Sequence, residues 1–333
     1  MPLTGLLVGL LFGFLLQRGQ FCFVCGFREL LLRRNTSFIV ALLVAIAIQS
    51  AGFFGLQQAG AIRLPEGTMP LWATLIGGLL FGIGIMLARC CGSGSWFRSG
   101  EGAAGSLLVL LVFAITLAAF QAGPFRGLMQ PLLEQPSTLS TIHGTLGISP
   151  WWLVGALALL AFTLVRRDQR TTADFADAPS LASVRRAHYS VRMAVVIGLL
   201  GIAAWWLSWQ TGRNYGYGVA TPTANLLQYL TTGQSRYLNW GSLFVLGILP
   251  GAWISALMTG EFRWRVPAPE QVPQRITGGV LMGIGATLAG GCTITNTLVA
   301  TAYFSWQGWI ATLMIIAGAW IGLRITGQGR MNS

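Results

Sequence analysis

Long apolar blocks separated by short polar stretches cover this chain and predict its architecture. A helix that crosses the hydrocarbon core of a bilayer needs about 20 mainly apolar residues, because each backbone group must be satisfied inside the helix. Such blocks recur along the whole sequence. They predict nine membrane-spanning helices, near residues 3–17, 36–56, 71–90, 103–122, 150–165, 192–210, 240–258, 274–291 and 306–325.

Four shorter segments fit none of these spans. Each has roughly 11–13 residues, too few to cross a bilayer, and each begins with small or polar residues. They read GQFCFVCGFREL, CGSGSWFRSGEG, GVATPTANLLQYL and CTITNTLVATAY. We predict re-entrant half-helices, because irregular backbone survives at membrane depth only beside protein or a water-filled cavity. Their N-termini would direct free N–H groups inward, which suits an anion.

One apolar phrase occurs twice, 201 residues apart. Gly77–Cys91 reads GGLLFGIGIMLARCC and Gly278–Cys292 reads GGVLMGIGATLAGGC, with nine of fifteen positions identical. The same shift carries the neighbouring predicted spans onto one another in order. Chance similarity is the alternative, since glycine-rich packing is common in membrane helices. Because the order of the spans also matches, we favour an internal repeat.

A single linker span between two repeats would invert the second repeat relative to the first. Inverted repeats are typical of transporters, whose substrate sites lie at the repeat interface. The predicted regions are a first repeat (1–122), a linker span with a basic cytoplasmic loop (123–191), a second repeat (192–326) and a C-terminal tail (327–333). The predicted fold is therefore an all-α integral membrane protein with about nine transmembrane helices, four half-helices and an inverted-topology repeat.

Composition agrees with a membrane protein and changes how the charge is interpreted. Of the 333 residues, 54% are hydrophobic and 9% are charged, whereas ordinary globular domains carry roughly 25% charged residues. The net charge is +12, and all 21 basic residues are arginines spread over short loops and near cysteines. That spread argues against nucleic-acid binding and indicates topology. The basic loop between Arg166 and Arg192 is expected in the cytoplasm, with the N-terminus periplasmic and the C-terminus cytoplasmic.

Three of the five cysteines share one position relative to a glycine motif. Cys22, Cys91 and Cys292 each lie thirteen residues after the first glycine of a Gly-x-x-x-Gly pair, at the start of a predicted half-helix. The other two cysteines lack this spacing. At the shift of 201 residues Cys22 corresponds to Thr223, so the fourth equivalent position carries a hydroxyl.

A row of thiols suits a soft anion that must not be held tightly. A thiol is a small, weak donor, and a permeating ion needs sites that it can leave. The alternative is that free cysteine is simply a common buried residue, and the half-helix asparagines could equally be caps. The predicted substrate-binding residues are Cys22, Cys91, Cys292, Thr223, Asn225, Asn296, Gly92 and Thr293.

Charged residues flank two of these cysteines. Intramembrane charges are costly, so they usually form pairs or line a path. Pairing of Arg28 with Glu29, or of Arg98 with Glu101, could equally fix the half-helices. The predicted supporting charges are Arg28, Glu29, Arg89, Arg98 and Glu101.

These residues resemble the YeeE/YedE family of sulfur-compound membrane transporters, in particular its YeeE thiosulfate-uptake branch, over nearly the full length. The matching phrases include QRGQFC, GSGSWFRSGEG, TPTANLLQYL, YLNWG, GGVLMGIGATLAGGC and SWQGW. The resemblance implies an hourglass-shaped bacterial inner-membrane protein that passes thiosulfate by transient contacts with thiols. The family's three pathway cysteines carry over onto Cys22, Cys91 and Cys292. It also implies a small TusA-like sulfurtransferase, YeeD, as a cytoplasmic partner in many members.

Two positions depart from the family pattern. In ARCCGSG, Arg89 and Cys90 stand where two glycines are expected, and Cys25 is additional. An arginine beside the middle thiol could alter the cargo or the rate.

Other functions remain open at this stage. The cargo could be a selenium compound or another sulfur oxyanion. The chain could instead be a membrane thiol–disulfide oxidoreductase that uses Cys22-x-x-Cys25 or the adjacent Cys90 and Cys91. A soft-metal transporter is a third alternative, although no cluster of other ligand residues joins the cysteines. No nucleotide-binding loop is visible, so we expect neither direct use of ATP nor a cofactor.

Overall fold

A computed structural model describes residues 3–135, 137–174 and 181–327. Regular secondary structure within these residues is helical. Residues 328–333 of the predicted tail lie outside the described residues. The α-helices are α1 (Leu3–Gly19), α2 (Phe23–Arg33), α3 (Ser37–Gln58), α4 (Leu71–Ala88), α5 (Gly92–Gly100), α6 (Ala104–Gln121), α7 (Arg126–Leu133), α8 (Ile142–Leu146), α9 (Pro150–Asp174), α10 (Leu181–Trp209), α11 (Ala220–Thr232), α12 (Trp240–Thr259), α13 (Gln271–Leu288) and α14 (Trp306–Ile325), with a π-helix at Ile294–Ala300 and a 3₁₀ turn at Ser235–Tyr237.

Eight segments of the described chain are long and apolar enough to cross a membrane, which confirms the membrane class. Nine had been predicted. The ninth, near 274–291, is present as the 18-residue helix α13, but its first turns carry Gln271, Gln274 and Arg275 and lower its hydropathy. These polar residues belong to the end of the helix, where a side chain can reach the membrane surface.

The four predicted short segments are all helical and all short. They form α2, α5, α11 and the π-helix, with 11, 9, 13 and 7 residues. Each therefore falls below the length that spans a bilayer. Their re-entrant course through a membrane stays a prediction.

The described residues of the basic segment between Arg166 and Arg192 are helical, so the predicted connection includes the ends of two helices, and its cytoplasmic position stays a prediction. Helix α9 continues to Asp174 and α10 begins at Leu181. The segment after Arg166 reads RDQRTTAD, which lacks glycine and proline, so nothing in it stops a helix at the end of the apolar run. Sequence reasoning also missed the short helices α7 and α8.

Glycines allow several helices to pack backbone against backbone. On α1, Gly5, Gly9 and Gly13 face the carbonyl oxygens of Trp240, Phe244 and Ile248 on α12, and a Cβ on any of the three would overlap its facing oxygen. Close approach through small residues is the usual way in which membrane helices associate. The pairing also shows that α1 and α12 run parallel.

Helices α4 and α13 cross at a reciprocal interface. Gly77 faces the backbone of Ala289, and Gly278 faces that of Ala88; Gly84 and Gly285 repeat the exchange about two turns later. Each contact maps onto the other when 201 is added to one residue number and subtracted from the other. Such self-complementary contacts are characteristic of a two-fold axis, and the two helices are antiparallel. This interface agrees with an inverted repeat, although the predicted domain boundaries stay a prediction.

Candidate functional site

Each register-matched cysteine follows a residue with left-handed backbone. Gln20, Arg89 and Gly290 lie two residues before Cys22, Cys91 and Cys292, and their φ angles are 47°, 59° and 70°. Glycine adopts this conformation readily, whereas other residues pay for it. The same turn therefore delivers all three cysteines, and Arg89 occupies a position that suits glycine.

Two of the cysteines are helix N-caps. Cys22 precedes α2 and its Sγ accepts a hydrogen bond from the Cys25 N–H at 3.4 Å. Cys91 precedes α5 and its Sγ accepts from the Gly94 N–H at 3.4 Å. N-caps are usually Ser, Thr, Asp or Asn, so a weakly accepting sulfur leaves the positive helix end poorly compensated.

The segments that carry Cys91 and Cys292 lie against each other. Both Cys91 and Cys292 are buried, and a Cβ on Gly92 would lie 3.4 Å from Cys292 Cβ. Hydroxyls line this contact: Ser93 Oγ lies 3.4 Å from Cys91 Sγ, and Thr295 Oγ1 lies 3.7 Å from Cys292 Sγ. The result is a buried patch of thiols and hydroxyls.

Thr293 adds a buried hydroxyl beside Cys91. Its side chain is fully buried, and its Oγ1 interacts with the Cys91 thiol without forming a hydrogen bond of normal geometry. Because a thiol is a weak partner, this hydroxyl remains suited to a stronger contact with a transient guest. Of the predicted residues beside the cysteines, Thr293 and Gly92 therefore both lie at the thiol centre.

Thr223, the fourth equivalent position, is engaged by the protein. Its Oγ1 accepts a hydrogen bond from Trp96 Nε1 at 2.9 Å and donates to the Val219 carbonyl at 2.6 Å. Trp96 belongs to α5, so this hydroxyl joins α5 to α11. The observed role is structural, and binding of cargo by Thr223 stays a prediction.

The two asparagines differ in their surroundings. Asn296 is buried, and its Nδ2 donates to the carbonyls of Ala289 and Gly291 at 3.2 and 3.0 Å. It thereby fixes the turn that carries Cys292. Asn225 is half-buried on α11. The structure brings Asn296 close to Cys292, whose carbonyl accepts from the Asn296 N–H at 2.9 Å, and binding of cargo by Asn225 stays a prediction.

Arg98 connects the first half-helix to the second. It lies near the end of α5, and its Nη2 is 3.4 Å from Cys22 Sγ and 3.3 Å from Cys25 Sγ. Its Nη1 donates to the Arg89 carbonyl at 3.3 Å. A fixed cation beside two thiols favours an anion there and disfavours a metal cation.

The other predicted charges are arranged differently from the expected pairs. Among the described residues the salt bridges are Arg33–Glu29 at 3.3 Å and Arg265–Glu101 at 3.7 Å. The first is exposed and contributes about 0–1 kcal/mol. Arg28 and Arg89 are exposed. Arg98 is therefore the predicted charge that reaches a cysteine.

Two cavities flank the thiols. The Tyr303 cavity has a volume of about 510 Å³, and the Arg98 cavity about 370 Å³. The polar lining of the Tyr303 cavity includes Arg213, Tyr215, Thr221, Thr295, Asn296, Tyr303 and Gln307. The polar lining of the Arg98 cavity includes Gln20, Arg98, Glu101, Ser106, Arg265, Gln271 and Arg275.

The cavities lie at opposite ends of the antiparallel helices. Gly290, just after the end of α13, lines the Tyr303 cavity, whereas Gln271, at its start, lines the Arg98 cavity. Thr295 connects the first cavity to Cys292, and Arg98 connects the second to Cys22. Helix α5 covers the distance between Cys91 at its start and Arg98 near its end. The arrangement is two cavities at opposite ends of these helices, each linked by one side chain to a buried thiol.

Comparison with known proteins identifies the family. The family model described as Sulphur transport matches residues 18–321. The chain belongs to the sulphur transport family. A member named thiosulfate transporter TsuA from Escherichia coli K12 is 41% identical over 96% of this chain and 93% of its own. A protein of the same name from Spirochaeta thermophila is 33% identical over 95% of this chain and 96% of its own. The probable transporter YedE of E. coli K12 is 38% identical over 30% of this chain and 25% of its own.

This membership confirms the resemblance inferred from the motifs. Within this sulphur transport protein, sequence reasoning missed three residues at the site. Thr295 contacts Cys292, Trp96 donates to Thr223, and Arg265 pairs with Glu101. Thr295 carries a signal, since it lies three residues after Cys292 as a polar residue in an apolar segment. The other two depend on contacts between distant parts of the chain.

Proposed function

We propose that this chain imports thiosulfate through a path of transient contacts with the thiols of Cys22, Cys91 and Cys292. The observation that carries the proposal is that each cavity is linked to a buried cysteine, the Tyr303 cavity through Thr295 to Cys292 and the Arg98 cavity through Arg98 to Cys22. Membership of the sulphur transport family and full-length relatives named thiosulfate transporters support it.

Thiosulfate matches the chemistry of the path. It is a dianion with a soft terminal sulfur and three sulfonate oxygens. The terminal sulfur approaches each thiol as a weak acceptor, while half-helix N–H groups and Arg98 stabilise the oxygens. No covalent bond forms, and the chain acts as a transporter. Each contact is weak, so the ion can leave for the next one.

We infer that the Arg98 cavity opens to the cytoplasm of a bacterial inner membrane. Arg263, Arg265 and Arg275 gather at this end, and positive residues favour the cytoplasmic side. The N-terminus is then periplasmic and the C-terminus cytoplasmic. A variant that lacks the native cysteines and carries one added cysteine at the C-terminus tests this orientation. A maleimide that does not cross membranes should label the added cysteine only after the cells are opened. Reaction in intact cells would reverse the assignment.

A small TusA-like sulfurtransferase is proposed to accept thiosulfate at the same end. Support comes from the family resemblance and from the basic residues that would face such a partner. Copurification from membranes tests the proposal, with Arg263→Glu as the disrupting variant. Equal recovery of the partner with and without Arg263 would oppose contact at this end.

The cargo is tested by uptake of labelled thiosulfate into sulfate-starved cells that lack other thiosulfate transport. We expect uptake that depends on expression of the chain and growth on thiosulfate as sole sulfur source. Unlabelled sulfate and selenite serve as competitors. Competition by selenite stronger than by thiosulfate itself would assign a selenium cargo, and absence of thiosulfate uptake would refute the proposal.

A further inference from the structure

The Tyr303 cavity contains a cation that the thiol path does not explain. Arg213 lies in the loop after α10 and lines this cavity. Its Nη1 donates to the carbonyls of Tyr215 and Gly216 at 3.0 and 2.7 Å, and to Ser208 Oγ at 3.0 Å. All three bonds use one nitrogen, so the rest of the guanidinium is not committed to these partners.

Among the described residues, no salt bridge pairs Arg213 with a carboxylate. The residues that line the Tyr303 cavity include no Asp or Glu. The salt bridges within the described part of the chain involve Glu29 and Glu101, and neither includes Arg213. Burial lowers the pKa of Arg213 to about 10, so the group stays protonated at neutral pH. A fixed positive charge in a concave wall raises the local concentration of anions.

The orientation of Arg213 is also fixed. Its Cζ lies 5.8 Å from the ring centroids of both Tyr215 and Trp240. Two aromatic contacts and the bonds through Nη1 hold the guanidinium plane in place. A guanidinium held in this way is suited to the paired oxygens of an oxyanion, because its N–H groups match their spacing.

The cavity leads from Arg213 to the thiols. Gly218 and Thr221, at the start of α11, line the wall beside it, so a helix N-terminus adds N–H groups that favour an anion. Thr295 lies next to Gly218, since a Cβ on Gly218 would be 3.0 Å from Thr295 Oγ1, and it contacts Cys292 Sγ at 3.7 Å. An anion bound at Arg213 therefore occupies the same cavity as Thr295, which contacts the thiol of Cys292.

We propose that Arg213 is the capture site of the Tyr303 cavity and binds the sulfonate oxygens of a divalent sulfur oxyanion before it reaches Cys292. The proposal rests on the proposed function and adds the residue that recruits the anion. Electrostatic capture acts on the apparent affinity and weakens with ionic strength. The passage through the thiols should not depend on Arg213.

Initial rates of labelled thiosulfate uptake test the proposal in cells with matched amounts of protein. Arg213→Gln should raise KM about tenfold and keep most of the maximal rate. The wild-type KM should rise with added KCl, whereas the KM of Arg213→Gln should respond little. Arg63→Gln, an exposed arginine outside the cavity lining, is the matched control and should behave as wild type.

A second variant leaves Arg213 and its hydrogen bonds intact. Asn214 is exposed and lines the same cavity, so Asn214→Asp adds a carboxylate there and should also raise KM. An unchanged KM in both variants, or a lower maximal rate at constant KM and without salt dependence, would overturn the capture role. Absence of uptake by the wild type would instead refute the proposed function.

Discussion

Replacing Arg98 tests whether a fixed cation stabilises an anion beside Cys22. Arg98→Gln removes a positive charge whose Nη2 lies 3.4 Å from Cys22 Sγ. An anion against this thiol would have its nearest charge roughly 4–7 Å from the guanidinium, and at an effective dielectric constant of about 20 each unit of charge gains about 2–4 kcal/mol.

Screening by solvent reduces the energy of charges that are not fully buried. We therefore take a net effect of about 1.5–3 kcal/mol, which corresponds to about a 10- to 100-fold change. Arg98→Gln should lower kcat/KM for thiosulfate uptake by that factor. Arg98→Lys should be intermediate, since it keeps the charge but loses the shared contact with Cys22 and Cys25.

The assay is the initial rate of labelled thiosulfate uptake, normalised to the amount of protein in the membrane. Arg89→Gln is the matched control, because Arg89 is exposed and contributes its backbone carbonyl to Arg98. It should change uptake less than twofold. Uptake by Arg98→Gln within twofold of wild type would refute the electrostatic argument.

Three further predictions concern the turn, the additional cysteine and the helix interface. Arg89→Gly should stabilise the protein by about 1 kcal/mol, because the left-handed φ of 59° suits glycine; a lower midpoint of thermal unfolding in detergent would contradict this. Cys25→Ser should keep uptake within about threefold, since Cys25 is exposed and outside the register; loss of uptake would support the thiol–disulfide alternative. Gly84→Ala and Gly285→Ala should each destabilise by about 1–3 kcal/mol and by similar amounts, because both face backbone across the reciprocal interface; tolerance of one variant alone would contradict the two-fold relation.

The architecture was predictable because membrane helices obey few rules. Apolar length predicted the spans, and short polar-led segments predicted α2, α5, α11 and the π-helix. Those signals are local in the sequence. The ends of α9 and α10 were not predictable in this way, since hydropathy marks where an apolar run stops and not where a helix stops.

The candidate site was predictable where residues follow a register. The thirteen-residue spacing selected Cys22, Cys91 and Cys292, and the structure places all three in the same turn geometry. Pairings between distant segments were not predictable. Glu101 pairs with Arg265, 164 residues away along the numbering (265 − 101), and Thr223 bonds to Trp96. Neither contact leaves a periodic or compositional signal.

Adjacent cysteines provide the most direct test of the thiol path. Cys90 and Cys91 are both buried, but Cys91 is the residue that caps α5, and its thiol interacts with Thr293, next to Cys292. Labelled thiosulfate uptake should be lost in Cys91→Ala and retained within about threefold in Cys90→Ala, because only the former removes a thiol from the path. Equal uptake by both variants, at equal amounts of protein in the membrane, would contradict transport by thiol contacts.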